Sequence, residues 1–163
     1  MLPNPKNDSL PLGVYISVLT VEDVPLLEPL EKEAQLAFWG ADNYRRFLEE
    51  YQEYFGCKAV MINENLENIL IGFFLARSVF EHLEILKVGV YDQYQRREIG
   101  RHLMECAYAE GIRRGCLRCF LEVRKSNKRA IRFYYAQKFQ IAGTRLNYYT
   151  NPIEDAWIME RRL

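Results

Sequence analysis

The segment of residues 88–101 combines groups that are suited to holding an anion. A β-branched stretch runs into a polar loop, and Arg96, Arg97 and Arg101 surround the start of a helical pattern. Free backbone N–H groups and the helix dipole at such a start favour negative charge, and guanidinium groups add to that preference. The functional interpretation is a cradle for phosphate or pyrophosphate. The alternative is a solvated basic turn, and charge alone favours this alternative.

Two side chains further along the chain could move protons. Glu122 lies in a β-rich stretch, and Tyr134 lies seven residues after Asn127, so that Asn127 and Tyr134 share one helix face. Each residue has a structural alternative. Glu122 could be an edge carboxylate paired with Arg124 or another base, and Tyr134 could be a core aromatic. Asn127 could serve only as the N-cap of its helix.

Cysteine and histidine give weaker signals. Cys116 and Cys119 have the two-residue spacing of metal and redox motifs, but the other two cysteines stand alone in the sequence, so we predict no metal site. His82 and His102 have no matching nucleophile nearby, which argues against Ser–His or Cys–His chemistry. We expect His102 on a helix surface.

The amino-acid composition limits the kinds of partner that we expect this protein to bind. The chain has 163 residues, of which 49% are hydrophobic and 27% charged, which is typical of one globular domain. Lys+Arg and Asp+Glu both number 22, so a net charge of zero gives no general attraction to nucleic acid or to an anionic membrane. The longest apolar run, residues 69–76, is far shorter than the roughly 20 residues of a membrane span.

The N-terminal residues do not resemble a signal peptide, because they lack a basic start and a long apolar stretch. Residues 1–12 are rich in Pro, Asn and Asp, and we predict a flexible lead there, followed by one domain over residues 13–163. We accordingly expect a cytoplasmic protein with reduced, partly buried cysteines.

Apolar periodicity predicts the elements that must position these groups. Strands are predicted over residues 14–19, 59–62, 69–79, 83–90, 119–123, 139–147 and 156–161. Helices are predicted over residues 21–39, 42–54, 99–114 and 128–137. Early hairpins and later strand–helix–strand units indicate a mixed sheet with helices on its faces and a parallel step from 83–90 to 119–123. Ligands of such sheets bind at the carboxyl ends of the parallel strands.

Three sequence blocks together resemble a known family. Residues 95–100 read Gln-Arg-Arg-Glu-Ile-Gly and resemble the Gln/Arg-x-x-Gly-x-Gly/Ala signature of the GCN5-related N-acetyltransferases (GNAT). Residues 121–127, followed by Tyr134, are similar to the Leu-Glu-Val-Arg-x-x-Asn…Tyr run of that family. Residues 145–149 and 154–159 complete a pattern similar to the bacterial RimI-type ribosomal-protein-alanine N-acetyltransferases. The resemblance covers nearly all of residues 15–163.

This resemblance implies a fold and a cofactor. The implied fold is α/β, with a mixed, mostly antiparallel, twisted sheet of about seven strands flanked by four helices, whose strands splay at the cofactor site. The implied cofactor is acetyl-CoA, without a metal, and a backbone N–H of the strand at residues 88–90 would stabilise the oxyanion. The residues that match the family's cofactor contacts are Val88, Gly89, Val90, Arg96, Arg97, Glu98, Ile99, Gly100, Arg101 and Asn127.

The resemblance also assigns roles around the transferred acetyl group. Glu122 matches the general base, acting through water, and Tyr134 matches the general acid that protonates the departing thiolate. Trp39, Tyr148 and Tyr149 match positions of the acceptor groove. For Trp39, core packing is an equal alternative. Tyr148 and Tyr149 are adjacent, so in a regular strand they would face opposite ways and at most one would line a given site.

Two positions depart from the family pattern. Glu98 stands where the family usually has a glycine, and its carboxylate would compete with a phosphate at the helix start. We therefore expect weaker binding of acetyl-CoA than in a glycine-bearing relative. Lys138 precedes Phe139 where the family often has glycine, and a positive φ there would cost roughly 1 kcal/mol of strain.

The leading hypothesis is an acetyl-CoA-dependent N-acetyltransferase that works through a ternary complex. By resemblance, the acceptor is the N-terminal α-amine of a ribosomal protein that begins with alanine. An α-amine, with a pKa of about 8, is easier to deprotonate near neutral pH than a lysine, with a pKa of about 10.4. The alternatives are a small-molecule amine or a lysine as acceptor, or a non-catalytic acyl-CoA-binding module. We expect a monomer or a weak dimer, without nucleic-acid or membrane partners.

Overall fold

The computed structural model describes residues 10–34 and 36–163, and these residues contain seven strands and four α-helices. Most of the predicted N-terminal lead, residues 1–9, lies outside the described residues. The strands are β1 (Val14–Val18), β2 (Tyr54–Ile62), β3 (Asn68–Val79), β4 (His82–Val90), β5 (Arg118–Arg124), β6 (Gln140–Thr150) and β7 (Ile153–Arg162). The helices are α1 (Val24–Glu33), α2 (Ala41–Glu49), α3 (Ile99–Arg113) and α4 (Lys128–Ala136).

The strands form one mixed sheet in the order β1-β2-β3-β4-β5-β7-β6. β4 and β5 run parallel, as the strand–helix–strand pattern predicted, and the other neighbouring pairs are antiparallel. The predicted fold, a mostly antiparallel sheet of about seven strands with four helices, is confirmed.

β4 and β5 diverge at their carboxyl ends. Their pairing starts at His82 opposite Arg118 and ends at Ile85 opposite Leu121, although β4 continues to Val90. Opposite β3, the register of β4 shifts so that Leu86 is an extra residue. A bulge of this kind bends a strand and increases its local twist. The predicted splay is therefore present, and it opens the sheet beside the start of α3.

The two faces of the sheet carry separate hydrophobic cores. Leu103 of α3 and Ile131 of α4 pack in the larger core on one face. Leu30 of α1 and Tyr44 of α2 pack in the smaller core on the other. At Gly89 a Cβ atom would lie 2.6 Å from a methyl carbon of Leu30, so only glycine lets α1 approach β4 this closely.

Three element boundaries differ from the prediction by five residues or more. α1 ends at Glu33 instead of near Trp39, and α2 ends at Glu49 instead of Tyr54. β2 starts at Tyr54 instead of residue 59 and runs through Gly56. A Cβ at Gly56 would lie 2.5 Å from the carbonyl oxygen of Phe74, so this glycine permits close strand pairing instead of ending an element.

The expectation that His102 lies on the surface is wrong. Its side chain is buried in α3, and Arg101 and Glu105 contact it. Burial is the main reason that the pKa of His102 is lowered.

No helix within residues 10–34 and 36–163 is long and apolar enough to cross a membrane.

Candidate active site

A cleft of about 1440 Å³ opens where β4 and β5 diverge. The ends of both strands, the start of α3, α4 and β6 contribute to its lining. The cleft brings together most of the site residues that the sequence indicated: Trp39, Val88, Gly89, Val90, Arg96, Glu98, Gly100, Arg101, Glu122, Asn127, Tyr134, Tyr148 and Tyr149.

Two residues of the predicted cofactor set have their side chains elsewhere. The guanidinium carbon of Arg97 lies 5.7 Å from the centre of the Tyr94 ring. The side chain of Ile99 is buried in the larger core. For these two positions, only the backbone could contribute to a ligand site at the start of α3.

The start of α3 has the backbone shape of an anion site. Arg96 and Glu98 both adopt left-handed conformations, with φ of 58° and 64°. Turns of this kind direct successive N–H groups into one concavity, and the first N–H groups of a helix have no partner within it. Arg129 and Arg132 of α4 line the same cleft. The diphosphate and 3′-phosphate of a coenzyme A molecule fit this donor set and charge.

Glu98 is paired with an arginine of its own helix. Its Oε2 lies 2.5 Å from Nε of Arg101, whose NH1 group also contacts Glu105 at 2.5 Å. Arg101 thus offsets the charge that Glu98 brings to the anion site. The same pairing engages a guanidinium that could otherwise face a phosphate.

Gln95 fastens the loop before α3 to the end of β4. Its side-chain amide donates to the carbonyl of Val90 at 3.0 Å and to the carboxylate of Asp92 at 2.7 Å. The sequence block that carries the family resemblance contains Gln95, but nothing in its type or spacing revealed this positioning contact.

Glu122 faces the cleft from β5 and is held by two residues of β6. Its Oε1 lies 2.9 Å from Nε of Arg145, and the Tyr148 hydroxyl is hydrogen-bonded to its carboxylate. That hydrogen bond is the largest cause of the raised pKa of Tyr148. The anticipated partner, Arg124, instead contacts Glu154 and the carbonyl of Asn151.

Tyr148 and Tyr149 both line the cleft, so the expectation that at most one of them faces a given site is wrong. Their ring centroids are 5.1 Å apart. The pairing of β6 with β7 is interrupted between Arg145 and Tyr149, and Asn147 has a φ of 50°. The Asn147 N–H donates to the carboxylate of Asp155 at 2.9 Å, which holds this irregularity in place. No motif or spacing in the sequence indicates this role of Asp155.

Tyr134 projects from α4 into the floor of the cleft. Its ring packs at 5.4 Å from Phe133 and 5.7 Å from Phe139. Burial raises the pKa of Tyr134 above its ordinary value, so the hydroxyl keeps its proton at neutral pH. Asn127 caps the same helix, since its side chain accepts a hydrogen bond from the Ala130 N–H at 3.0 Å.

Comparison with family models gives a match that spans most of this architecture. The model of the Acetyltransferase (GNAT) family matches residues 24–139, from the start of α1 to the residue before β6. The chain belongs to the GNAT family. The prediction of an N-acetyltransferase is thereby confirmed at the level of the family.

Individual relatives agree with this membership. The ribosomal protein bS18-alanine N-acetyltransferase of Salmonella typhimurium is 30% identical over 146 residues, covering 88% of this chain and 94% of that protein. The crystal structure of the ribosomal-protein-S18-alanine N-acetyltransferase from Escherichia coli has a TM-score of 0.77 at 28% identity, covering 91% and 93%. The spermidine N(1)-acetyltransferase of Thermoplasma acidophilum is 23% identical, covering 82% and 92%.

In this GNAT enzyme Trp39 has a place in both a hydrophobic core and the cleft. It packs against the smaller core, with its ring 5.0 Å from Phe47 and 5.8 Å from Tyr44, and it also lines the cleft.

Within the described residues, no group of three or more His, Cys, Asp or Glu side chains could hold a metal ion.

Proposed function

We propose that this GNAT enzyme transfers the acetyl group of acetyl-CoA to the N-terminal α-amine of a protein. The acceptor class that we favour is a ribosomal protein that begins with alanine, because the 30% identical relative carries that activity in its name. A ribosomal-protein acceptor would place the reaction in the cytoplasm. The observation that carries the proposal is the convergence of Glu122 and Tyr134 on one cleft, next to the anion site at the start of α3.

Acetyl-CoA supplies the thioester, and the chain's own groups are arranged along the cleft in the order that such a ligand requires. The arginines around the start of α3 and on α4 would bind its phosphates. Beyond Ile85, the edge of β4 is not paired with β5, so N–H groups of residues 88–90 on that edge can donate to an acetyl carbonyl oxygen.

Glu122 would accept the proton of the acceptor amine through a water molecule. Arg145 and Tyr148 fix its carboxylate in the cleft, and a carboxylate can act as a base at neutral pH. Tyr134 would return a proton to the sulfur of the departing thiolate, because burial keeps its phenol protonated.

The acceptor class is tested by comparing initial rates at equal concentrations of three amines. These are a peptide with a free N-terminal alanine, an N-blocked peptide with one internal lysine, and spermidine. We expect kcat/KM to be at least about tenfold higher for the free N-terminus. A preference for spermidine would instead support the small-amine activity that the Thermoplasma acidophilum relative has in its name.

A further inference from the structure

Lys87 is a buried cation in the wall of the cleft. It lies on the diverging part of β4 and is 4% exposed, and no motif in the sequence assigns it a role. Its Nζ atom contacts the carboxylate of Glu31 on α1 and the backbone carbonyl of Ala37. One ammonium group therefore joins β4 both to α1 and to the segment between α1 and α2.

The same ammonium group faces two aromatic rings. It lies 4.8 Å from the centre of the Trp39 ring and 5.8 Å from that of Tyr44. The Tyr44 hydroxyl donates to Glu31 Oε1 at 2.6 Å, which ties α2 to the same carboxylate. A cation over an aromatic face is attracted to it, most strongly when both are withdrawn from water.

The segment that Lys87 contacts is also anchored locally, since the Asn43 side chain donates to the Trp39 carbonyl at 2.7 Å and the Leu36 N–H donates to the Glu31 carbonyl at 2.9 Å. Residues 36–40 form neither helix nor strand, and the Phe38 side chain is largely exposed. Leu36 and Trp39 both pack against the smaller core and line the cleft. To these anchors Lys87 adds a direct link from β4 to the middle of the segment, through the Ala37 carbonyl and the Trp39 ring.

A buried ion pair is an unfavourable way to gain stability. Burial lowers the pKa of Lys87, against the opposing effect of the Glu31 carboxylate, and an apolar pair of similar volume is often at least as stable. A positioning role explains the pair better than a stabilising one. The carboxylate of Glu31 also neutralises the positive charge of Lys87, which would otherwise repel a cationic amine entering the cleft.

We propose that Lys87 is a positioning residue for the acceptor, holding the segment of residues 36–40 as the wall of the acceptor half of the cleft. This inference rests on the proposed function, since it assumes a peptide acceptor beside Trp39. Lys87 holds this wall through the Ala37 carbonyl and the Trp39 ring, and the carboxylate of Glu31 neutralises the charge of Lys87. Its loss affects the acceptor and leaves the affinity for acetyl-CoA unaffected, because the phosphates of that ligand are held at the start of α3 and on α4.

The test compares Lys87→Met, Glu31→Gln and the double variant Lys87→Met/Glu31→Gln with the wild-type enzyme. We expect Lys87→Met to raise the KM for the alanine peptide about tenfold, with the KM for acetyl-CoA unchanged. The double variant removes the unpaired buried carboxylate, so it regains thermal stability but not the low peptide KM. If it regains both, the role of Lys87 is only structural and the inference is overturned.

The control variant is Lys58→Met. Lys58 also pairs with a carboxylate, at 2.5 Å from Asp23, but neither residue lines the cleft. We expect this variant to lose stability without a change in either KM. An equal rise in peptide KM in Lys58→Met and Lys87→Met would contradict a positioning role.

Tryptophan fluorescence tests the inference without any turnover. In a Trp157→Phe background Trp39 is the remaining tryptophan, and we expect Lys87→Met to shift its emission to longer wavelength as its ring gains contact with water. Unchanged emission would overturn the inference even if the enzyme prefers another acceptor. Failure of the wild-type enzyme to acetylate the alanine peptide would instead count against the proposed function.

Discussion

The Nε atom of Arg145 lies 2.9 Å from Oε1 of Glu122, which ties the proposed base on β5 to a residue two strands away on β6. The Arg145 side chain is 54% exposed, and pairs that reach solvent to this extent contribute only about 0–1 kcal/mol to stability. The contact is therefore better understood as orienting the carboxylate than as holding the sheet together.

Replacing the proposed base should remove catalysis and leave ligand binding intact. Glu122→Gln keeps the size of the side chain but not its basicity, so kcat should fall by a factor of about 100 to 10,000. Steady-state kinetics and acetyl-CoA titration measure the two effects separately. Glu160→Gln is the matched control, since Glu160 also pairs with an arginine, Arg118 at 3.3 Å, and does not line the cleft. A similar fall in kcat for both variants would count against a base at Glu122.

The backbone strain at Glu98 gives a second prediction. Glu98→Gly removes a carboxylate from the anion site, takes away one of the two carboxylate partners of Arg101 and relieves a left-handed residue with φ of 64°. We expect acetyl-CoA to bind about threefold more tightly and stability to rise by about 0.5 kcal/mol. Isothermal titration and urea denaturation measure the two effects.

Lys138→Gly is the control for Glu98→Gly, because Lys138 has a φ of 66° as anticipated but lies outside the cleft. It should gain similar stability without any change in acetyl-CoA affinity. Acetyl-CoA binding that is no tighter in Glu98→Gly than in Lys138→Gly would show that Glu98 does not weaken the anion site.

Asp155 should control the acceptor side through the Asn147 irregularity. Asp155→Ala removes the oxygen that accepts the Asn147 N–H, so the strand can revert to regular pairing and turn one tyrosine away from the cleft. We expect a higher KM for the peptide acceptor with an unchanged KM for acetyl-CoA. Asp155→Asn retains an acceptor oxygen and should behave like the wild type in both. Normal peptide kinetics in Asp155→Ala would rule out this role.

Buried tyrosines should make the fold sensitive to alkali. Burial raises the pKa of Tyr149 to about 12, above the value of about 10 in an unfolded chain. The folded state then holds a proton that the unfolded state loses, so the stability from this group is complete below about pH 10 and is lost between about pH 10 and about pH 12. Urea denaturation across this range should show a shallower decline for Tyr149→Phe. An identical slope in both proteins would contradict the raised pKa.

The sequence predicted those features that repeat along an element or link consecutive elements. The apolar spacing of residues 99–114 located α3, and the strand–helix–strand order predicted the parallel pairing of β4 with β5. The three sequence blocks indicated residues that the fold then brings to one cleft, including Glu122 and Tyr134. Such local patterns survive folding because they reflect the helix and strand periods themselves.

The features that were missed depend on single extra residues or on distant pairing. The register shifts near Leu86 and Asn147 change which way the following side chains face. No periodic pattern in the sequence indicates where such a shift occurs. Lys87 is buried although lysines are usually exposed, and His102 is fully buried although histidines are of intermediate exposure. Arg145 reaches Glu122 only because β7 lies between their strands, a relationship that is not local in sequence.

The most direct test of the proposed activity is to locate the transferred group on a single peptide. The peptide carries both a free N-terminal alanine and an internal lysine, and it is incubated with acetyl-CoA and the enzyme. Fragment-ion mass spectrometry should then find one acetyl group on the N-terminal residue with the wild-type enzyme and none with Glu122→Gln. Acetylation of the lysine, or equal transfer by Glu122→Gln, would contradict the account.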